Sequence, residues 1–143
     1  MRMNKYWAVA MLAIGLTGCA TAKEEYLRDG YRVMTGEEIT RVFSGQTVEG
    51  RYGDGSGNLV EYRSADGRLT TIEPSRRTYY GTWEIDDDWL CFIYADSPKR
   101  RCVEVVTKDG QYIEFRTGGP SYGKYGAEII SIQPGNVRDL PLK

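Results

Sequence analysis

From residue 47 onward, short runs of β-branched and aromatic residues alternate with turn residues, a pattern typical of an all-β domain. In one run, Ile113 and Phe115 alternate with polar neighbours, which predicts a strand with one buried face. Most connections are short, so neighbouring strands should pair antiparallel as a meander. Eight strands are predicted, at residues 47–52, 59–64, 69–73, 80–85, 89–94, 101–107, 112–117 and 127–132.

A single short helix is predicted before these strands. Thr35 and Glu38 match a capping box, in which the threonine side chain accepts from the third helical N–H and the glutamate reaches back. Met34 can pack on Ile39 as a hydrophobic staple, and Gly45 ends the segment. A helix of eight to ten residues is not stable alone, so its apolar face should cover the sheet.

Seven or eight short antiparallel strands must protect their edges, and closure removes edges altogether. The sequence therefore predicts a mainly β fold: a small antiparallel up-and-down barrel, or a strongly curved meander of 7–8 strands, with one short N-terminal helix. A two-sheet β-sandwich is the alternative.

Cys91 and Cys102 lie on neighbouring predicted strands. Pairing them places Leu90 opposite Val103 and leaves a hairpin loop at 95–98, so a cross-strand disulfide is predicted. A catalytic or metal-binding cysteine pair is the alternative, although the spacing is not C-x-x-C.

The N-terminus carries basic residues, then an uncharged apolar run over 6–16 that is shorter than the roughly 20 residues needed to span a bilayer. This order is typical of a secretory signal. The run ends Leu-Thr-Gly-Cys at 16–19, which resembles the lipobox of bacterial lipoproteins. The resemblance implies cleavage before Cys19, a diacylglyceryl group on its thiol and an acylated amino group. The alternative is a buried cysteine within a helical apolar segment.

These features divide the chain into a signal peptide at 1–18, a lipidated cysteine with a tether at 19–29, and a single β domain at 30–143. The polar segment Ala20 to Asp29 is expected to be a flexible coil that reaches about 15–20 Å. Ala20 follows the cysteine where an aspartate would favour retention, so in proteins resembling enteric lipoproteins it implies sorting to the outer membrane. We therefore expect an envelope location, lipid-anchored at the periplasmic face of that membrane.

Composition removes several classes of function. The chain contains no histidine, which excludes Ser-His-Asp and Cys-His catalysis and histidine-ligated metal sites as they are normally built. Once Arg2 and Lys5 leave with the signal, 17 basic side chains remain against 20 acidic ones, a side-chain charge of about −3. That balance argues against nucleic-acid binding. We expect no cofactor.

Three stretches resemble a group of small exported proteobacterial domains of unknown function. They are TGEEITRVFSGQTVEG, GTWEIDDDWLCFIY and RCVEVVTKDGQYIEF, within residues 30–117. The shared features are a Thr-Gly-Glu-Glu-Ile helix start, a Gly-x-Thr-Val strand, a Gly-Thr-Trp, and a Leu-Cys whose cysteine is matched by a second cysteine later in the chain. The resemblance implies a small β domain and brings no catalytic residues.

The side chains that could make contacts lie in predicted loops. Two tyrosines stand in a glycine-rich loop, and two basic clusters could meet an anionic surface if their loops share an end of the barrel. These residues are Tyr122, Tyr125, Arg76, Arg77, Arg100 and Arg101. The acidic run Asp86–Asp88 could ligate calcium or magnesium, but a turn is the favoured interpretation, so no metal site is predicted.

Three functions fit these features. The first is a non-enzymatic, membrane-anchored interaction module with a partner protein in the envelope. The second is a lipocalin-like barrel that binds an apolar ligand in a cavity lined by residues such as Trp83, Tyr62 and Phe115. The third is a hydrolase that uses two converging carboxylates. Its candidates are Glu49, Glu61, Glu84, Glu104 and Glu114, although their alternation predicts that most face water.

Overall fold

In the computed structural model, which describes residues 20–143, eight antiparallel strands close into a barrel. Each strand pairs with the next along the chain, and the last pairs with the first. The strands are β2 (Gln46–Tyr52), β3 (Asn58–Arg63), β4 (Arg68–Ile72), β5 (Thr78–Asp86), β6 (Trp89–Tyr94), β7 (Ser97–Lys108), β8 (Gln111–Arg116) and β9 (Tyr125–Pro134). The predicted up-and-down barrel is confirmed, and the sandwich alternative is not adopted.

The predicted register around the two cysteines is confirmed. Cys91 lies opposite Cys102 and Leu90 opposite Val103, and the two sulfur atoms are 2.08 Å apart. The predicted loop at 95–98 is wrong. The register shifts between Phe92 and Tyr94, so that Tyr94 pairs with Ser97 and the turn contains only residues 95–96. A bulge of this kind inserts an unpaired residue into one strand, which alternation alone does not reveal.

One end of the barrel is covered by α2 (Gly36–Phe43), the predicted helix. Thr35 and Glu38 form both bonds of the predicted capping box. The inner face of the helix joins the main core, where Ile39 and Phe43 are fully buried together with Leu90. The backbone N–H of Gly36 also donates to the Asp88 carboxylate, 2.7 Å away, which ties the helix to a turn of the barrel.

Consecutive connections of a meander alternate between the two ends of the barrel. The turns 64–67, 87–88 and 109–110 lie at the end covered by α2, which we call the closed end. The connections 53–57, 73–77, 95–96 and 117–124 lie at the opposite end, which we call the open end. The 117–124 connection contains a short 3-10 helix, Gly119–Ser121.

Besides the short 3-10 helix, two elements that precede α2 were not predicted. The segment expected to be a flexible coil contains α1 (Ala22–Arg28), and β1 (Arg32–Val33) pairs with β7 beside the barrel. Helix α1 begins at a second capping box, formed by Thr21 and Glu24. It lies on the outer wall, where the Tyr26 ring packs 5.4 Å from the ring of Phe115.

The last residues of the chain cover the outer face of the barrel near β2 and β4. The Thr47 hydroxyl donates to the Gly135 carbonyl at 2.7 Å, and the Thr70 hydroxyl donates to the Pro141 carbonyl. Leu140 is buried by this packing. No helix within 20–143 has both the length and the apolar character that crossing a membrane requires.

Candidate ligand cavity

A cavity of about 560 Å³ extends from the barrel interior to the open end, and its lining also includes Trp89 and Arg100, whose side chains lie on the outer wall. Apolar and phenolic side chains form much of its wall, and two carboxylates lie deeper within it. Its lining includes Tyr52, Leu59, Glu61, Phe92, Tyr94 and Glu114. Cavities that hold small molecules have volumes of roughly 300–1,000 Å³, and this cavity falls within that range. Its lining is rich in polar side chains and includes charged ones at both the mouth and the floor.

The cavity exists because the two halves of the barrel are packed differently. Toward the closed end, Phe43, Trp83 and Leu90 fill the interior. Toward the open end, the neighbouring strands β2 and β9 contribute the small inward residues Gly50 and Ala127, both buried. An eight-stranded barrel is just wide enough for side chains to fill or for one small ligand to enter, so small side chains decide the outcome.

A buried ion triad lies between the packed half and the cavity. Nε and Nη2 of Arg63 donate to Oε2 of Glu61 at 3.0 and 2.8 Å, and Nη2 also donates to Oε1 of Glu114 at 2.9 Å. Arg63 is only 1% exposed, and both glutamates are buried. Because one guanidinium faces two carboxylates, the triad gives the floor of the cavity a net negative charge when all three groups are ionised.

The surroundings of Arg63 are aromatic. Its guanidinium carbon lies 4.9 Å from the centre of the Phe43 ring and 5.1 Å from that of Phe92. Nη1 has no hydrogen-bond partner among the described residues. Contact with aromatic ring faces supplies part of the electrostatic stabilisation that this side of the cation lacks in hydrogen bonds.

Burial shifts the pKa values of the ionisable side chains in and beneath the cavity. Burial raises the pKa of Glu114, although the charge of Arg63 opposes that shift. Burial alone would lower the pKa of Arg63, but Glu61 and Glu114 raise it above its usual value, so the guanidinium stays charged. Burial also raises the pKa of Tyr52 and Tyr94, whose phenols are therefore neutral near pH 7.

The cavity mouth carries positive charge. Arg101 and Arg116 both line the cavity from neighbouring strands β7 and β8, and neither forms an ion pair within the described part of the chain. Arg116 lies opposite Val103, whose side chain packs against the main core, so this position faces inward. The cavity is therefore basic at its mouth, acidic at its floor, and apolar and phenolic in between.

The prediction that the strand glutamates mostly face water is wrong for Glu61 and Glu114, which lie inside the barrel. The alternation that predicted β8 is real, but its apolar face points outward. Ile113 and Phe115 form a second core beneath α1, so Glu114 between them points inward. Without α1, the alternation of β8 predicts that the apolar face lies inside the barrel.

The residues proposed as lining an apolar cavity do not line this one. Phe115 lies outside the barrel under α1, and Tyr62 pairs with Thr47, whose hydroxyl bonds the C-terminal segment on the outer face. Trp83 is in the packed half, where its indole N–H donates to the Ser64 carbonyl at 2.9 Å. The lining residues Tyr52 and Tyr94 are on predicted strands, but only the closure of the barrel identifies them as inward-facing.

The two predicted basic clusters do share one end of the barrel. Arg76 and Arg77 lie in the 73–77 turn, and Arg77 forms an ion pair with Asp96 of the 95–96 turn at 3.6 Å. Arg100 and Arg101 follow on β7. The Arg100 side chain turns along the outer wall, where Nη1 lies 2.7 Å from the Asp86 carboxylate.

The two predicted contact tyrosines have different surroundings. Tyr122 is 50% exposed, and its hydroxyl accepts from Nζ of Lys23 at 3.1 Å. Tyr125 is half-buried, with its ring 5.8 Å from that of Phe115 and 6.0 Å from that of Tyr26. Only Tyr122 presents a large part of its surface outward.

The acidic run adopts the turn conformation that was favoured over a metal site. Asp87 has a left-handed backbone with φ of 52°, and Asp86 and Asp88 bind Arg100 and the start of α2. In the part of the chain that the structure covers, no group of three or more His, Cys, Asp or Glu side chains is placed to hold a metal ion.

Cys19, the predicted site of lipidation, and the predicted signal peptide lie outside the described residues. Comparison of the chain with protein-family models, with curated proteins and with solved structures gave no match. The cavity itself is therefore the main guide to function.

Proposed function

We propose that this protein is a non-enzymatic, lipid-anchored barrel of the bacterial cell envelope that binds a small amphipathic molecule in its cavity. The single observation that carries the proposal is the cavity of about 560 Å³ within a closed barrel. Its volume is in the range of small-molecule sites, and its charged groups lie at two depths, with arginines at the mouth and glutamates at the floor.

The distribution of charge sets the orientation of the ligand. An anionic group is attracted to Arg101 and Arg116 at the mouth and repelled by the acidic floor. An apolar body fits against Leu59 and Phe92. The neutral phenols Tyr52 and Tyr94 can bond polar atoms along it. We therefore propose an anionic head at the mouth and an apolar tail directed toward the packed half of the barrel.

A fluorescent fatty acid tests the cavity. The Cys19→Ser variant removes the acylation site, and a dansyl-labelled undecanoic acid serves as the probe. We expect saturable binding with one probe per barrel. Ala127→Trp fills the cavity and should strongly weaken binding, whereas Ile130→Trp, at an exposed position on the same strand, should not. Circular dichroism and thermal melting verify that both variants fold. No binding, or equal binding by the two tryptophan variants, would show that the cavity is not the site.

The anchor has its own test. Mass spectrometry of the N-terminal peptide from membrane fractions should show a chain that begins at Cys19 and carries acyl groups. The Cys19→Ala variant should lose both the acyl groups and the membrane association. An unmodified N-terminus in the wild type would rule out the anchor and leave the cavity proposal intact.

The triad favours a second candidate, a hydrolase that uses two carboxylates, because Glu61 and Glu114 converge on one nitrogen atom of Arg63 at the floor of the cavity. The same bonds argue for the first candidate, since Arg63 holds one oxygen of each carboxylate away from a substrate. If the protein hydrolyses glycosides and both Glu61→Gln and Glu114→Gln abolish that activity, the second candidate replaces the first.

A further inference from the structure

Helix α1 gives the chain a definite point of entry into the domain. At its start, the N–H of Lys23 donates to the carbonyl of Gly123 in the open-end segment 117–124. At its far end, Nζ of Lys108 beside the 109–110 turn donates to the carbonyl of Asp29, 2.6 Å away. The helix therefore descends the outer wall from the open end to the closed end, and the polypeptide arrives at the open end.

The start of α1 and the cavity mouth share one segment of the chain. Gly118 and Ser121 line the cavity, and Gly123 of the same connection lies directly against Thr21. Cys19 precedes Thr21 by two residues, a distance of at most about 7 Å along an extended chain. The described chain therefore enters the domain beside the cavity mouth, two residues after the predicted acylation site.

The two ends of the barrel differ in charge. The closed-end turns and adjoining strand ends carry Asp66, Asp86, Asp87, Asp88 and Asp109 against Arg68 and Lys108, and the covering helix α2 adds Glu37, Glu38 and Arg41. The open-end turns and the strand ends at the mouth carry Arg76, Arg77, Lys99, Arg101, Arg116 and Lys124, against Asp54, Glu73 and Asp96. An anionic membrane surface attracts basic residues that lie within a Debye length, so this asymmetry favours one orientation.

We infer that the open end of the barrel rests on an anionic bilayer surface, so that the cavity mouth faces the lipid headgroups. The point of entry, the basic rim and the exposed ring of Tyr122 all lie at that end. The inference rests on the proposed lipid anchor. It deepens the proposed function, because an amphipathic ligand could then pass between the bilayer and the cavity without crossing water.

Hydrogen exchange on vesicles tests this orientation. The mature, acylated protein is reconstituted into phosphatidylcholine vesicles with and without phosphatidylglycerol. We expect amide exchange in 73–77 and 117–124 to slow several-fold when phosphatidylglycerol is present. Exchange in the closed-end turns 87–88 and 109–110 should be equally fast on vesicles with and without phosphatidylglycerol.

Two pairs of charge reversals provide matched variants. Lys99→Glu/Lys124→Glu alters the open end and should remove the protection, whereas Arg41→Glu/Arg68→Glu alters the closed end and should leave it. Protection of the closed-end turns, equal exchange at both ends, or protection that ignores phosphatidylglycerol would overturn the inference.

The outcome can be separated from that of the proposed function. Probe binding is measured on the Cys19→Ser chain in solution, where no vesicle is present. If the probe still binds but amide exchange at the open end is not slowed, only the proposed orientation is disproved. If exchange at the open end is slowed but the probe does not bind, the ligand proposal is disproved and the proposed orientation is retained. Loss of the acyl groups is detected independently by mass.

Discussion

Oε1 of Glu114 on β8 lies 2.9 Å from Nη2 of Arg63 on β3, so a buried ion pair crosses the interior of the barrel between residues 51 positions apart. The two strands are separated by β2 and β9 in the wall. The bond therefore joins parts of the barrel that the backbone hydrogen bonds do not join directly. Its loss should lower the free energy of unfolding of the whole domain.

Replacing Arg63 by Met should lower the free energy of unfolding by about 3–5 kcal/mol, because two buried carboxylates lose their shared counter-charge. Urea unfolding followed by tryptophan fluorescence measures the change. Arg68→Met is the control, since Arg68 forms an exposed ion pair with Asp66 and should cost about 1 kcal/mol or less. Adding Glu61→Gln and Glu114→Gln to Arg63→Met should recover part of the loss. Equal effects of the two methionine variants would contradict this role.

Replacing Tyr26 by Ala should detach α1 from the barrel wall. The Tyr26 ring lies within 6.0 Å of three other aromatic rings, so its removal should cost about 1–3 kcal/mol. Hydrogen exchange of residues 22–28 should accelerate while the barrel strands keep their protection. Glu25→Ala, at an exposed position of the same helix, is the control. If exchange over 22–28 is unchanged, the ring does not hold the helix in place.

Removing the Cys91–Cys102 link should destabilise the barrel by roughly 2–3 kcal/mol, because a closed loop of about a dozen residues is released in the unfolded chain. The Cys91→Ala/Cys102→Ala variant is compared with the wild type in thermal melting. Maleimide labelling of the unfolded wild type should find no free thiol on either residue until a reductant is added. Labelling of both without reductant would disprove the link.

Ionisation of Glu38 should make the stability of the fold depend on pH in the acid range. The ion pair with Arg32 and the bond from the Thr35 N–H lower the pKa of its carboxyl from 4.5 to about 2. Because the folded pKa is the lower one, this stabilisation is present above pH 4.5 and is lost as the pH falls toward 2. In Glu38→Gln the stability should decline less across that interval. Glu37→Gln, which removes an exposed charge from the same helix, should keep the wild-type decline.

The arginines at the mouth should discriminate between charged and neutral ligands. Arg101→Gln or Arg116→Gln should weaken binding of the dansyl fatty acid by about tenfold, or about 1.4 kcal/mol, through loss of a charged contact. Binding of the corresponding primary alcohol should change little. Arg41→Gln, remote from the cavity, controls for net charge. Equal weakening for acid and alcohol would mean that the arginines shape the mouth without binding an anion.

The sequence by itself determined the local structure of most of this protein. Alternating residues and turn signals located all eight barrel strands, because a pleated strand with two different faces leaves a period of two. The capping box at Thr35 located α2, and the cysteine spacing predicted the register of β6 and β7 beside the disulfide, although not at their turn. All of these depend on residues that are near one another in the chain.

Only the tertiary structure decided which face of a strand is inside. The pattern of Ile113 and Phe115 predicts a face that lies in the barrel core. In the structure α1 covers these residues from outside, so Glu114 points inward and bonds to Arg63. Alternation with a period of two distinguishes the two faces of a strand but does not show which face is inside. The sequence pattern of a polar helix of two turns is too weak to predict the helix or the surface on which it packs. The cavity depends on the same closure, because the residues of its floor come from β3 and β8, which face each other across the interior only when β9 pairs with β2.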